Sequence, residues 1–249
     1  MSQIKTIVMK FGGTSVADEA ARKLMLGHII REVEQGYKVL VVVSAMGRGI
    51  DGDAYATDTL GSLVSEKISP RESDRLLSCG EVISSIVTSD LVRSHGLSVT
   101  SLAPVEVGIT TDTNHTDAHI LIVETQELLD KFTEYDVLIA PGFIGVSEDG
   151  FITTLGRGGS DTSAIALGAS LGAEFVDIYS DVIGVMTKDP NKNPDAVLIS
   201  ELTYDKLIEI AETGAQIIHL KAIKLAKDCK VSMRFRSTFK DFIGTVVRS

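Results

Sequence analysis

The stretch from Thr153 to Ala164, Thr153-Thr154-Leu155-Gly156-Arg157-Gly158-Gly159-Ser160-Asp161-Thr162-Ser163-Ala164, constrains the fold more than any other: a glycine-broken turn opens directly into an apolar helical run. Gly156, Gly158 and Gly159 let the backbone approach a ligand closely, and Ser160 or Asp161 is expected to cap a helix beginning Thr162-Ser163-Ala164. The free N–H groups and positive dipole end of that helix favour an anion in the turn. Arg157 adds a planar fork suited to a carboxylate or phosphate. Taken alone, the stretch also admits a simple tight turn with Arg157 solvated.

The rest of the chain alternates short β-rich runs with helical periods, the pattern of an α/β protein with a mainly parallel sheet. Ile4 to Phe11 reads as a strand that runs into Gly12-Gly13-Thr14-Ser15, followed by a helix from Val16 to about Glu34 that stops at Gly36. Lys10 and the twin glycines form a second anion cradle, without the spacing of a Walker A loop. Val39 to Val43 is a continuous apolar strand ending in Ser44-Ala45-Met46-Gly47, and Arg48 to Tyr55 reads as a surface loop, with Gly47 to Gly52 a candidate lid. Thr57-Asp58 starts a helix, and Pro70 opens a longer one reaching Ser94. Glu81 stands in it among Leu76, Leu77, Val82, Ile83 and Ile86, where the residues alone favour a solvated carboxylate on a helix face.

Further on, Ser98 to Leu102 and Val105 to Thr111 read as strands paired through Ala103-Pro104. His119 to Val123, Val137 to Ala140, Glu174 to Tyr179 and Val231 to Phe235 are further strands. Thr125 to Phe132, Tyr204 to Glu212 and Ala222 to Lys227 are helical, and Gly244 to Val247 reads as a final edge strand.

Composition narrows the function. With 249 residues, 44% hydrophobic, the chain can bury a large core, and its net charge of −10 argues against nucleic acid or an anionic membrane as partner. No apolar run is long enough to span a bilayer and the N-terminus lacks a signal-peptide pattern, so a cytoplasmic protein is expected. Cys79 and Cys229, far apart, read as ordinary buried thiols, and the scattered histidines, His115 and His119 included, suggest no metal site.

Lys10-Phe11-Gly12-Gly13-Thr14-Ser15, Ser44-Ala45-Met46-Gly47, Gly80-Glu81, Thr154 to Asp161 and Ser180-Asp181-Val182 occur in this order, and together they closely resemble the catalytic domain of the aspartokinases, in the amino-acid kinase family. The resemblance covers essentially the whole chain. It implies a three-layer αβα sandwich, with an amino-acid-binding half to about residue 150 and a nucleotide-binding half from about 151 to 249. It also implies ATP with Mg²⁺, held mainly through the nucleotide phosphates, and phosphoryl transfer to the side-chain carboxylate of L-aspartate on the way to lysine, threonine and methionine.

By resemblance, Lys10 and Asp161 are catalytic. Thr57, Glu81, Arg157, Gly158, Gly159 and Ser160 bind the amino acid, and Lys10, Phe11, Gly12, Gly13, Ser180, Asp181, Met186, Asn191 and Gln216 stand at the nucleotide. Asn191 and Gln216 replace cations of the family pattern, each a loss of about 1.5 to 3 kcal/mol if uncompensated. The regulatory ACT modules that usually follow the Arg234-Phe235-Arg236-Ser237-Thr238-Phe239 strand are absent from the sequence, so no inhibition by lysine or threonine is expected of this chain alone. A homodimer, or pairing with an ACT-containing subunit, is the expected assembly. A weakly catalytic binding subunit and a kinase for another amino-acid carboxylate are the alternative readings.

Overall fold

The structure, a computed structural model, describes residues 4–47, 53–188, 193, 195–212 and 218–248. All of the candidate Gly47–Gly52 lid except Gly47 lies outside the described residues, as do Asn191 and Gln216. The chain opens with β1 (Thr6–Phe11), a single turn α1 (Gly13–Val16) and α2 (Glu19–Glu34). The helix expected from Val16 is broken at Asp18, which is extended and caps α2 by accepting from Ala21 N. Then come β2 (Lys38–Val43), α3 (Thr57–Gly61) and α4 (Pro70–Ser94). Ser69 caps α4 by accepting from Glu72 N, and Pro70 occupies the first turn, where no N–H is needed.

The middle of the chain contributes β3 (Val99–Ser101), a 3₁₀ turn over Pro104–Val107, β4 (Ile109–Thr111), β5 (Ile120–Val123) and α5 (Gln126–Lys131). It continues with β6 (Val137–Pro141), β7 (Ile144–Ser147), β8 (Ile152–Thr154) and α6 (Gly159–Leu171). The last part holds β9 (Val176–Ser180), β10 (Glu201–Leu202), α7 (Tyr204–Glu212), α8 (Leu220–Cys229), β11 (Met233–Ser237) and β12 (Ile243–Val247).

Among the described residues, an eight-stranded sheet runs β10-β12-β11-β9-β1-β2-β6-β3, all neighbours parallel except β11 and β12. A second sheet, β5-β4-β7-β8, stands apart. Two expectations therefore change. β3 and β4 do not form a hairpin: β3 pairs with β6 in the large sheet and β4 with β5 and β7 in the small one, because Pro104 starts a helical turn between them. β12 is not an edge strand, since β10 pairs with its outer side.

Strand alternation sorts the large sheet into two cores. Val8, Leu40 and Val42 pack with Ala164, Ile165 and Leu167 of α6 and Ile223 of α8, whereas Ile7, Met9, Val39 and Val41 pack with Met25 and Ile29 of α2 and Val92 of α4. Helices on both faces make the αβα sandwich. Each fully buried aliphatic side chain contributes about 1.5–3 kcal/mol, so a lysine at a buried strand position, as at Lys10, requires a specific partner. Cys79 and Cys229 are exposed free thiols rather than buried ones. Among the described residues no helix is long and apolar enough to cross a membrane.

Candidate active site

Parallel register gathers the motifs. Phe11 is level with Val43 and with Tyr179, and Val43 with Pro141, so Gly12, Ser44 and Gly142 leave the sheet side by side at its carboxyl edge, next to Ser180, the last residue of β9. That edge is where open α/β sheets bind ligands.

Lys10, one residue before the end of β1, points to the α6 face. Its Nζ lies 2.6 Å from Asp161 Oδ1, both side chains nearly buried, a close ion pair whose angle falls outside good hydrogen-bond geometry. Phe11 points the other way, fully buried and stacked on Tyr179 at 4.5 Å between ring centroids, so only its main chain reaches the edge. Gly12 N donates to Tyr179 O at 3.3 Å and is not the free donor expected of it. Gly13, in the first turn of α1, has no intrahelical acceptor for its N–H. A side chain there would collide with Gly47 O, so Gly13 is the contact that lets the Ser44–Gly47 turn close over α1.

The Arg157 turn is built differently from its expected capping. Gly158, in the left-handed region at φ 70°, is the N-cap of α6, and Ser160 and Asp161 lie within the first turn. Gly158 is needed twice over, for that φ and because a side chain would strike His219 of the α8 cap. Gly159 packs against Phe143 and Leu155. Ser160 Oγ accepts from Ser44 Oγ at 2.9 Å, which joins this turn to the end of β2. Arg157 itself is exposed and has no ion-pair or hydrogen-bond partner among the described residues.

Glu81 overturns the expected solvated carboxylate. It is 3% exposed, Ala45 N donates to its Oε1 at 3.2 Å, and its Oε2 has no partner among the described residues. Burial pushes the carboxyl up to about 8, opposed by the Ala45 N–H and its own backbone. Gly80 makes this depth possible, since α4 approaches Ala45, Tyr55 and Leu60 at that point. The sequence misleads because the buried stripe of α4 consists of small and polar residues, Ser78, Ser85, Thr88 and Ser89, while Ile86 is exposed.

Thr57 is half-buried at the start of α3, after Ala56. Ser180 Oγ accepts from Val182 N, Asp181 is exposed, and Met186 is half-buried in a bridge to Leu198. Sequence reasoning missed Asp74, fully buried on α4, which accepts from His115 Nδ1, Thr116 N and Thr154 Oγ1. A carboxylate seven residues before Glu81, on the same helix face, was the available signal.

The chain belongs to the amino acid kinase family, whose model matches residues 5–237. Within that family it is similar to aspartokinases. It is 46% identical to aspartokinase 1 of Bacillus subtilis over 99% of this chain and 61% of that protein. The aspartate kinase from Synechocystis superposes with a TM-score of 0.85 at 36% identity, over 98% of this chain and 40% of the other. Aspartokinase III of E. coli, solved in complex with aspartate and ADP, superposes with a TM-score of 0.85 at 26% identity, over 98% of this chain and 65% of that one. The chain thus spans about three-fifths of the length of the B. subtilis relative.

Proposed function

We propose that this chain is an aspartate kinase catalytic unit that transfers the γ-phosphoryl group of ATP to the side-chain carboxylate of L-aspartate, giving 4-phospho-L-aspartate and ADP. The observation that carries this reading is the Lys10–Asp161 ion pair between β1 and α6, together with an incompletely satisfied Glu81 on α4 and an Arg157, in the turn before α6, that has no partner among the described residues. Lys10 neutralises charge on the transferring phosphoryl group, and Asp161 holds the ammonium there. Arg157 clamps a carboxylate of the amino acid, Glu81 receives its α-ammonium, and Thr57, Gly158, Gly159 and Ser160 line the pocket.

The acceptor carboxylate is ionised at neutral pH, so its oxygen attacks phosphorus without a general base. Alignment and charge neutralisation then supply the rate. In this reading the nucleotide rests on Gly13, Ser180, Asp181 and Met186, with Asn191 and Gln216 further along the same half. Asp161 is engaged by Lys10, so the donor set suits a Mg²⁺ carried by nucleotide phosphates, where it would neutralise their charge. The amino acid falls mainly to the half before about residue 150 and the nucleotide mainly to the half after it, with Lys10 and Gly13 of the first half reaching the phosphates and Arg157 to Ser160 of the second reaching the amino acid.

A coupled ADP-release assay with Mg-ATP and L-aspartate, L-glutamate or no acceptor, with hydroxylamine trapping, tests this function. Aspartate-dependent release trapped as a hydroxamate is expected; turnover with glutamate alone, or none from folded protein, overturns it.

A further inference from the structure

We propose that Asp74 is a positioning residue that fixes the Arg157 turn against the helix carrying Glu81, and so sets the spacing of the two groups that grip the amino acid; this rests on the reading of Arg157 and Glu81 given above. Asp74 and Glu81 are seven residues apart on α4, about 10 Å along one helix face. Asp74 is fully buried, and its carboxylate gathers donors from two other segments. Thr154 Oγ1 donates to Oδ1 at 2.6 Å, His115 Nδ1 to Oδ2 at 2.6 Å, and Thr116 N reaches both oxygens at 3.1 Å. A carboxylate only accepts, so His115 carries its proton on Nδ1.

Both segments flank the Arg157 turn. Thr154 ends β8 three residues before Arg157, and β8 is the outer strand of the small sheet, with no strand beyond it among the described residues. The loop after β4 folds back on the same place. Ala118 N donates to Thr154 O at 2.9 Å, and Lys221 Nζ, from the other half of the chain, reaches Asp117 Oδ1 at 3.2 Å and Leu155 O at 3.4 Å. Thr116 holds a left-handed φ of 72°, a strained conformation for this residue, at the point where its N–H meets Asp74. Arg157 has no side-chain partner among the described residues, so its place is decided by where this tethered backbone delivers it.

The test uses Asp74→Asn and His115→Ala, the second at a mostly buried but surface-reaching side chain that leaves the Thr154 and Thr116 bonds in place. In the Mg-ATP and L-aspartate assay, KM for aspartate is expected to rise about tenfold in Asp74→Asn and about threefold in His115→Ala, with KM for ATP and kcat within twofold. Hydrogen exchange should quicken at residues 112–118 and 152–158 in both, while residues 80–94 keep their protection. An unchanged aspartate KM, or both KM values rising together, overturns the inference. If wild-type protein shows no aspartate-dependent turnover, the functional reading itself fails; unaltered exchange at 152–158 in both variants then overturns the tether separately.

Discussion

Two groups of charge lie at the large sheet, one within its α2 face and one at its carboxyl edge, and they are completed differently. On the α2 face, Asp177 takes Arg234 through Nη2 at 2.8 Å and Arg236 through Nη1 at 3.0 Å, and Glu32 accepts from Arg236 Nη1 at 3.0 Å. Two carboxylates and two guanidinium groups balance there without help, although Arg236 Nε is unbonded among the described residues. At the carboxyl edge Lys10 pairs with Asp161, while Glu81 Oε2 and Arg157 have no partner among the described residues. A closed network serves the fold, and an open one is shaped for a ligand that brings the missing charges.

The comparison breaks most easily at Asp177. Asp177→Asn should cost about 3–5 kcal/mol in urea unfolding, because it leaves buried guanidinium groups short of a counter-charge. The folded fraction should keep its KM values; a variant of full stability but lost turnover would place the tetrad in the active site instead. Lys10→Ala should act the other way round, lowering aspartate-dependent ADP release about 10²–10³-fold with a smaller effect on stability. Equal turnover in wild type and variant would remove Lys10 from the mechanism.

Glu81 sharpens the contrast through pH. Its folded pKa of about 8 stands above the ordinary 4.5, so the folded, ligand-free protein holds this proton more tightly than the unfolded chain. Stability from this group is fully present below pH 4.5, falls as pH rises from there to about 8, and is flat beyond. Glu81→Gln should remove that slope and leave the free protein more stable than wild type at pH 8, by thermal melts across pH. Pairing with an ammonium requires the carboxylate, so aspartate affinity should strengthen as pH rises from 6 to 8 in wild type, and the variant should bind more weakly, roughly 10-fold or more, with no such rise. A pH-independent aspartate affinity in wild type would show that Glu81 does not meet the ammonium.

Much of the fold was legible because its signals are local. The apolar run Val39–Val43, Pro70 at the start of α4 and the glycine break at Gly36 each act within a few residues, and α4 and α7 lie close to where periodicity puts them. The strands β7 and β8 escaped notice because they are short, and their pairing in a separate sheet is a long-range choice.

By itself, the sequence determined the order of strand, glycine turn and helix, and with it the residue types able to meet phosphate and carboxylate: Lys10, Arg157 and Asp161 were visible as charges beside glycines. Only the tertiary structure decided which charges are left for a ligand. Glu81 looked like a solvated carboxylate beside apolar neighbours until the small-residue face of α4 was seen packed against Ala45 and Leu60, and Asp74 drew no notice until Thr154 and His115 closed on it. Helical periodicity records which side of a helix is apolar; burial of a carboxylate depends on how closely a neighbouring backbone can approach, and that distance is set by residues far away in the chain.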